Sequence, residues 1–326
     1  MPQVTIEDMP QVTIDNEVYS DTSKETKQQL EQVEDVVKDK KTEDNIIPPS
    51  DKIVGLSPEE LKDPNKIQIE IAEKKAPIVV LFGQPACGKT MTLVRLTRFL
   101  FQKGYTVEPV KEFRPTYDTN YTEMCDDFNQ MINQDDAAKT TSKISFMLVN
   151  VSKNNGKTIC QILEAPGEYY FNPQVPNASF PRYFSAITSS PNRKIWCIFV
   201  EPSWGDLSDR NNYVSRIKSL KKKIKNSDRI IVVYNKIDQT SFLIDGDGNV
   251  AKKNAREDIK NRYSQLFDIF KETRPIISWL NPYRCEFVPF QTGDYPKAAD
   301  GTKGFEQGPD AFPRRLWKII LKMVRG

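Results

Sequence analysis

The chain has 326 residues, of which 28% are charged and 10% aromatic, and its formal net charge is +3. The sequence contains no histidine, which excludes Ser-His-Asp and Cys-His catalysis and histidine-ligated metal sites. It has no run of about 18 apolar residues and no basic start followed by an apolar core, so we expect neither a membrane-spanning helix nor a secretory signal. Five cysteines without a Cys-x-x-Cys pair favour a reduced, cytoplasmic protein.

The first 50 residues differ in composition from the rest of the chain. Residues 1–50 hold 12 acidic and 5 basic side chains, which leaves 32 acidic and 42 basic ones for residues 51–326. With almost no aromatic residues, the first segment cannot bury enough apolar surface to offset the entropy lost on ordering. The sequence predicts a disordered acidic tail at 1–50, with a short helix over 25–40 as the alternative. A lead-in at 51–75 and a folded domain at 76–326 follow.

Short apolar runs rich in β-forming residues alternate with helical patterns after the lead-in. One pair of runs flanks an Asn-Gly dipeptide, which is typical of a hairpin turn. Strands that are buried on both faces of a parallel sheet read as continuous apolar runs, as these do. The pattern predicts an α/β fold with a doubly wound, mostly parallel sheet and one antiparallel edge hairpin. The predicted strands are 77–82, 144–151, 158–163, 194–200, 229–235 and 285–290, and the predicted helices are 89–102, 208–226, 254–272 and 311–324.

A glycine-rich octapeptide lies between the first predicted strand and the first predicted helix. Its pattern, G-x-x-x-x-G-K-T, is typical of loops that hold the phosphates of a nucleotide. The glycines let backbone N–H groups turn toward phosphate oxygens, and the start of the following helix adds its dipole. The lysine would supply a positive charge to the same oxygens, and the threonine hydroxyl would ligate Mg²⁺. The residues of this loop that are predicted to bind nucleotide are Gly83, Gln84, Pro85, Ala86, Cys87, Gly88, Lys89 and Thr90.

The tetrapeptide Asn235-Lys236-Ile237-Asp238 follows a predicted strand and indicates which base is bound. The carboxylate of Asp238 can accept hydrogen bonds from N1–H and from the exocyclic amine of guanine. Adenine offers an acceptor at N1 and has no 2-amino group, so the carboxylate would be left unpaired, which is costly. Asn235 can bond within the loop and to the edge of the base, and the stem of Lys236 can cover the purine face. Downstream of a phosphate loop, this tetrapeptide predicts guanine.

With these two motifs in this order, the chain resembles the Ras-like branch of the P-loop GTPases over about residues 76–326. The resemblance implies the fold of that family, a switch cycle between GTP and GDP, and dependence on Mg²⁺. It also implies three further site loops, which match the family pattern less closely.

The third motif of the family, D-x-x-G, corresponds to Glu164-Ala165-Pro166-Gly167, with glutamate in place of aspartate. The resemblance implies that Glu164 reaches the Mg²⁺ shell through water and that Gly167 contacts the nucleotide. The next residue, often the glutamine that orients the attacking water, is Glu168. Its carboxylate can orient water or act as a weak base, yet it would also repel the γ-phosphate. The rate of hydrolysis is therefore open.

The segment Phe113–Tyr121 resembles the first switch loop of the family. The resemblance implies that Thr116 supplies the second hydroxyl to Mg²⁺, with Thr119 and Thr140 as the alternatives. Arg114 is a candidate for stabilising charge on the γ-phosphate, and a solvated loop position is the competing interpretation.

The fifth motif of the family, S-A-K, is faint in this chain. It corresponds to the sequence FQTGD after the last predicted strand. The resemblance implies that Thr292 and Gly293 offer backbone contacts to the base.

Together, these motifs predict a GTP-hydrolysing molecular switch that uses GTP, GDP and Mg²⁺ and acts on a protein effector or regulator. The candidate catalytic residues are Lys89, Thr116 and Glu168, and the candidate Mg²⁺ ligands are Thr90, Thr116 and Glu164. Neither nucleic acid nor a membrane is expected as a partner. A GTP-binding protein that does not hydrolyse GTP and an ATP-using P-loop kinase or ATPase are the alternatives.

Overall fold

The structure of the chain, a computed structural model, describes residues 55–133, 146–153, 156–274, 279, 282–294 and 306–326. These residues belong to a compact unit that spans Pro49–Gly326. The predicted tail at 1–50 and the candidate ligand Thr140 lie outside the described residues, so both stay predictions.

A seven-stranded sheet lies at the centre of the described residues. Its strands are β1 (Ile78–Phe82), β2 (Tyr105–Pro109), β3 (Met147–Lys153), β4 (Thr158–Glu164), β5 (Lys194–Val200), β6 (Arg229–Tyr234) and β7 (Glu286–Pro289). Their order across the sheet is β2-β3-β4-β1-β5-β6-β7. Strands β4, β1, β5, β6 and β7 run parallel to one another, whereas β3 is antiparallel to β4 and β2 is antiparallel to β3. In register, Val80 of β1 lies opposite Leu163 of β4 and Trp196 of β5.

The predicted fold class, a doubly wound and mostly parallel α/β sheet, is confirmed. Strands β3 and β4 pair as the antiparallel hairpin that the Asn-Gly dipeptide predicts. On its outer side this hairpin is flanked by β2, which the sequence did not predict. In β2 only the central Val107 is buried, so the strand lacks the continuous apolar run that marks β1 and β5.

Helices surround the sheet, and two of them follow the sequence prediction to within one residue at each end. They are α1 (Pro58–Lys62), α2 (Lys89–Gln102), α3 (Thr119–Asp126), α4 (Phe128–Asn133), α5 (Gly167–Tyr170), α6 (Arg182–Ser189), α7 (Leu207–Lys221), α8 (Lys252–Arg262) and α9 (Ala311–Arg325). Helix α8 ends earlier than predicted, and Gln265 just beyond it has a φ of 68°, which a right-handed helix cannot contain. Within the described ranges, none of the helices is both long enough and apolar enough to cross a bilayer.

The last helix, α9, packs on the core. Phe312, Leu316 and Ile320 are fully buried at the four-residue spacing of one helix face. The ring of Trp317 meets the ring of Tyr105 in β2 edge-on, with the ring centroids 5.4 Å apart. The apolar face of α9 is therefore part of the core, where a doubly wound fold places its final helix.

The segment Ser57–Glu73, which we call the strap, precedes β1. It begins with α1, where Ser57 and Glu60 form a reciprocal capping box with hydrogen bonds of 3.0 and 3.3 Å. Further along the strap, the N–H of Glu70 donates to the carbonyl oxygen of Phe113 at 2.9 Å. The strap is thereby bonded to the segment that resembles the first switch loop.

Candidate nucleotide-binding site

Five loops meet at one edge of the sheet, where they follow the carboxyl ends of β1, β4, β5, β6 and β7. Strand β1 lies between β4 and β5, although it comes first in the chain. In open α/β sheets, ligands bind outside the carboxyl ends of the strands at such a reversal of strand order. The fold therefore brings the phosphate loop, the third motif, the base loop and the fifth motif to a common edge.

The phosphate loop is a tight turn between β1 and α2. Ala86 has a φ of 58° and Gly88 a φ of 85°, and α2 begins at Lys89. Left-handed residues can turn successive N–H groups toward one side, and the start of a helix adds partial positive charge. A Cβ on Gly83 would lie 2.6 Å from Cys87 Sγ, so the turn requires glycine there. This backbone can cradle an anion.

Lys89 folds back into the phosphate loop and is 5% exposed. Its Nζ donates to the carbonyl oxygen of Gln84 at 3.1 Å. Burial lowers the pKa of the ammonium, but the nearby Cys87, Glu164 and Glu168 groups raise this pKa above its ordinary value overall. Lys89 therefore stays charged at neutral pH and can exchange the carbonyl oxygen for a phosphate oxygen.

Thr90 and Glu164 form a hydrogen-bonded pair of oxygen donors. Thr90 Oγ1 donates to Glu164 Oε1 at 2.9 Å, and Glu164 is 2% exposed. Its second oxygen, Oε2, has no hydrogen-bond partner among the described residues, and burial raises the pKa of this carboxyl to about 7. Mg²⁺ prefers carboxylate, hydroxyl and phosphate oxygens, and a cation would stabilise the ionised form of a buried carboxyl. These two side chains fit the predicted metal site.

Gly167 of the third motif packs directly on the phosphate loop. A Cβ on Gly167 would lie 2.5 Å from the backbone nitrogen of Pro85 and 2.6 Å from the carbonyl oxygen of Gln84. Only glycine allows this approach. The next residue, Glu168, is exposed in the first turn of α5, and its charge acts on both Lys89 and Glu164. The third motif and the phosphate loop therefore share one site.

Asn235 joins the base loop to the phosphate loop. Its Nδ2 donates to the carbonyl oxygen of Cys87 at 2.8 Å, and the residue is 1% exposed. A Cβ on Gly88 would lie 2.2 Å from the same Nδ2, so the two loops touch closely. The Oδ1 of Asn235 is buried and has no hydrogen-bond partner in the described part of the chain. This acceptor can take a bond from a bound base.

Lys236 has a left-handed backbone, with a φ of 55°, and its side chain pairs with an acidic residue. Its Nζ forms an ion pair with Glu201 Oε2 at the end of β5. The lysine side chain is 32% exposed, whereas that of Glu201 is 4% exposed. Glu201 is the first residue after an apolar strand and belongs to no sequence motif, so only its contact with Lys236 identifies it.

Asp238 is exposed at the end of the base loop. The preceding residue, Ile237, donates its N–H to the carbonyl oxygen of Phe290 at 3.1 Å, which ties the base loop to the end of β7. The pKa of the Asp238 carboxyl is raised by partial desolvation and by the charge of Asp294.

The fifth motif follows β7 and enters a short ribbon. Thr292 is buried, and its carbonyl oxygen accepts from the N–H of Gly308 at 3.3 Å. Gly293 begins strand β8 (Gly293–Asp294), which pairs antiparallel with β9 (Glu306–Gln307). The fifth motif thus lies next to the base loop along the same edge.

Two observations decide the type of fold. The site loops follow one another along a doubly wound sheet, and a phosphate loop that contains left-handed residues precedes α2. The fold is that of an α/β P-loop NTPase.

The folded part of the chain is similar to several solved structures at low sequence identity. Nucleolar GTP-binding protein 1 from Plasmodium falciparum aligns with a TM-score of 0.38 and 12% identity, over 79% of this chain and 90% of that one. The GTPase-like domain of Ski7 from S. cerevisiae, bound to GDP and inorganic phosphate, aligns with a TM-score of 0.41 and 11% identity. The alignment covers 78% of this chain and 51% of the Ski7 chain, so the chain spans about half of that relative.

A third solved structure is the signal recognition particle receptor SRb-GTP/SRX complex from Chaetomium thermophilum. It aligns with a TM-score of 0.34 and 12% identity, over 76% of this chain and 98% of that one. No family model matches the chain, and no curated protein matches it by sequence. The function of the chain is therefore inferred from the residues of the site.

The segment that resembles the first switch loop lies against the strap. Thr116 is exposed, and its role as a Mg²⁺ ligand stays a prediction. Thr119 is the first residue of α3 and lines an open groove of about 1260 Å³. The other lining residues belong to the strap, to this segment and to α6, and none belongs to the phosphate loop. The role of Thr119 as an alternative Mg²⁺ ligand stays a prediction.

Arg114 is buried in a polar network, so the interpretation as a solvated loop charge is wrong, and its role at the γ-phosphate stays a prediction. The residue is 3% exposed rather than solvated. Its guanidinium donates to Glu60 Oε1 at 2.6 Å, to the carbonyl oxygen of Gln68 at 2.8 Å and to Asp118 Oδ2 at 2.9 Å. With these partners the guanidinium ties the segment to the strap.

Proposed function

We propose that the chain is a guanine-nucleotide-binding protein that binds GTP and GDP with Mg²⁺ and hydrolyses GTP. The observation that carries this proposal is the hydrogen bond from Asn235 Nδ2 to the carbonyl oxygen of Cys87 at 2.8 Å. It holds the base loop against the phosphate loop, so one nucleotide can reach both Asp238 and Lys89. Asp238 lies three residues after Asn235. Its carboxylate can accept hydrogen bonds from guanine, whereas adenine would leave it unpaired.

Each group of the proposed site has a separate task. Backbone N–H groups of the phosphate loop and the ammonium of Lys89 hold the phosphates, and Asp238 accepts two hydrogen bonds from guanine. Thr90 and Glu164 would hold Mg²⁺, which supplies neutralisation of the charge on the β- and γ-phosphates. Gly167 offers its N–H beside the phosphate loop. Thr292 and Gly293 would border the base.

Competition between nucleotides tests the choice of base. The full chain is incubated with a fluorescent GDP analogue, and GTP, GDP, ATP and XDP are added as competitors. We expect GTP and GDP to displace the probe and ATP to fail. In Asp238→Asn, the affinity for GDP should fall roughly 10- to 100-fold, because a donor replaces an acceptor, while the affinity for XDP should rise. Equal displacement by ATP would contradict the guanine assignment and favour an ATP-using enzyme.

A GTP-binding protein that hydrolyses little is the second candidate. It is favoured by Glu168, whose exposed carboxylate adds negative charge close to Lys89 and Glu164. Such a charge repels an attacking hydroxide and the γ-phosphate alike. Single-turnover hydrolysis is measured for the native chain and for Glu168→Gln. Hydrolysis by the native chain at the rate of an ordinary switch would remove this candidate, whereas a gain in the variant alone would support it.

The proposed output is a changed contact with a protein partner in the cytoplasm. In a switch of this kind, the γ-phosphate orders the loops around Thr116 and Gly167, and hydrolysis releases them. We expect hydrogen exchange in residues 113–120 and 165–171 to be slower with a non-hydrolysable GTP analogue than with GDP. Identical exchange in both states would contradict a switch and leave nucleotide binding untouched.

A further inference from the structure

Glu201 is a buried acidic residue that none of the nucleotide-binding motifs includes. It directly follows β5 at the edge where the site loops meet, and it is 3% exposed. Burying a carboxylate is costly unless an opposite charge pairs with it. The charge that pairs with Glu201 is the ammonium of Lys236 in the base loop.

The backbone around Glu201 is held firmly. Its N–H donates to Tyr263 Oη at 3.3 Å, and the same hydroxyl lies 2.8 Å from the carbonyl oxygen of Glu201, to which it donates. Arg262 Nη1 donates to the carbonyl oxygen of Pro202 at 2.8 Å. Tyr263 is itself fully buried at the end of α8. The carboxylate of Glu201 therefore projects from a fixed point.

Lys236 is constrained at both ends. Its backbone is left-handed, and the preceding Asn235 donates its N–H to the carbonyl oxygen of Val200 at 2.9 Å. Its ammonium is fixed by Glu201. A lysine side chain loses considerable rotamer entropy when it is ordered. If the ordering occurs only when the ligand binds, this loss weakens the binding free energy. The ion pair with Glu201 lowers this cost, because it restricts the ammonium within the protein itself.

The ion pair also lies close to the phosphate loop. The charges of Glu201 and Lys236 act in opposite directions on the thiol of Cys87, whose carbonyl oxygen accepts from Asn235. Because the pair is neutral as a whole, it adds little net charge beside the phosphates. The stem of Lys236 is what remains to meet the base.

We propose that Glu201 is a positioning residue for the nucleotide base. It holds the ammonium of Lys236 so that the aliphatic stem of this lysine covers one face of the purine. The proposal deepens the function proposed above and rests on it. A positioned stem contacts any purine equally, so Glu201 sets the residence time of the nucleotide, whereas Asp238 sets the choice of base.

A double-mutant cycle on the full chain tests this role. Dissociation of fluorescent GDP and of fluorescent IDP is measured for the native chain, Glu201→Gln, Lys236→Met and the double variant. We expect Glu201→Gln to speed GDP dissociation about 10-fold and to leave the ratio of the GDP and IDP rates unchanged. The double variant should release GDP no faster than Lys236→Met alone, because Glu201 acts through Lys236.

A matched control separates positioning from general damage. Glu272 is also buried and ion-paired, with Arg274 at 2.8 Å, but it is remote in sequence from every site loop. Glu272→Gln should leave both dissociation rates unchanged, and Glu201→Asp should restore part of the native residence time. Native-like GDP release in Glu201→Gln, or a double variant whose effect is the product of the single effects, overturns the positioning role alone. Failure of the native chain to bind GDP overturns the proposed function as well.

Discussion

At the scale of single residues, the site is defined by polar atoms and glycines that are explained only together. The second oxygen of Glu164 and the Oδ1 of Asn235 are buried without a partner among the described residues. Both atoms belong to loops of the site, so each is available to a ligand atom. Gly88 lies at the point where the base loop touches the phosphate loop.

Substitution of Gly88 by alanine should disconnect the two loops. The new Cβ would lie 2.2 Å from Asn235 Nδ2, and the φ of 85° adds backbone strain of about 1–2 kcal/mol. We expect Gly88→Ala to weaken GDP binding at least 10-fold in a titration with fluorescent GDP. Gly104 is the control, because its φ is 72° and a Cβ there would meet nothing within 4 Å. Gly104→Ala should lower stability by about 1 kcal/mol and leave binding unchanged; equal loss of binding in both variants would refute the contact.

Replacement of Glu164 by glutamine should remove the dependence of binding on Mg²⁺. The amide oxygen can still accept from Thr90 Oγ1, so the local hydrogen bond survives while the charge is lost. We expect EDTA to speed GDP release from the native chain and to have little further effect on Glu164→Gln. Glu123 on α3 is exposed, and Glu123→Gln should keep the native response to EDTA. An undiminished EDTA effect in Glu164→Gln would exclude this carboxylate as a ligand.

At the scale of elements, the strap is bonded to the segment that resembles the first switch loop. One guanidinium, that of Arg114, bonds to the strap at Glu60 and Gln68 and to Asp118. Asp118 in turn caps α3 by accepting from the N–H of Tyr121 at 3.0 Å. Motion of this segment therefore requires that these bonds break, so the strap restrains it.

Loss of the Glu60 charge should loosen this segment. The Arg114–Glu60 pair is nearly dry, with side chains 2% and 12% exposed. Removing one partner of such a pair is destabilising, but Arg114 keeps its other hydrogen bonds. We therefore expect Glu60→Gln to lower the free energy of unfolding in urea by roughly 1–3 kcal/mol. Protease cleavage within residues 113–120 should also become faster.

Glu59→Gln is the control for this change. Glu59 lies next to Glu60 in α1 and pairs with Lys66 at 3.3 Å, but these side chains are 77% and 55% exposed. Exposed pairs contribute about 0–1 kcal/mol, so Glu59→Gln should unfold like the native chain. If both variants lost the same stability, the effect would belong to α1 as a helix and not to the buried network.

At the scale of the whole molecule, the sequence predicted those elements whose structure is determined by a single local stretch. The apolar strands, α2, α9 and the phosphate loop are each specified within a single stretch, so their positions followed from pattern alone. Strand β2 has one buried residue and forms only because β3 offers an edge. Glu201 pairs with Lys236, which is 35 residues later in the chain, and Arg114 bonds to Glu60, which is 54 residues earlier. Local sequence patterns carry no information about contacts between residues so far apart.

The same assembly from distant loops predicts that nucleotide binding stabilises the whole domain. The site is formed by loops at the ends of five strands, so unfolding of any of these strands destroys the site. A ligand that binds only the folded state therefore raises the melting temperature. At about 100 times its Kd, GDP should add about 2.7 kcal/mol, which corresponds to a rise of roughly 5–10 °C in a thermal melt. ATP at the same concentration should give no rise. Asp238→Asn should melt like the native chain without ligand and lose most of the GDP effect, because its exposed side chain contributes to recognition and not to the core. A melt that ATP and GDP raise equally would contradict a site built for guanine.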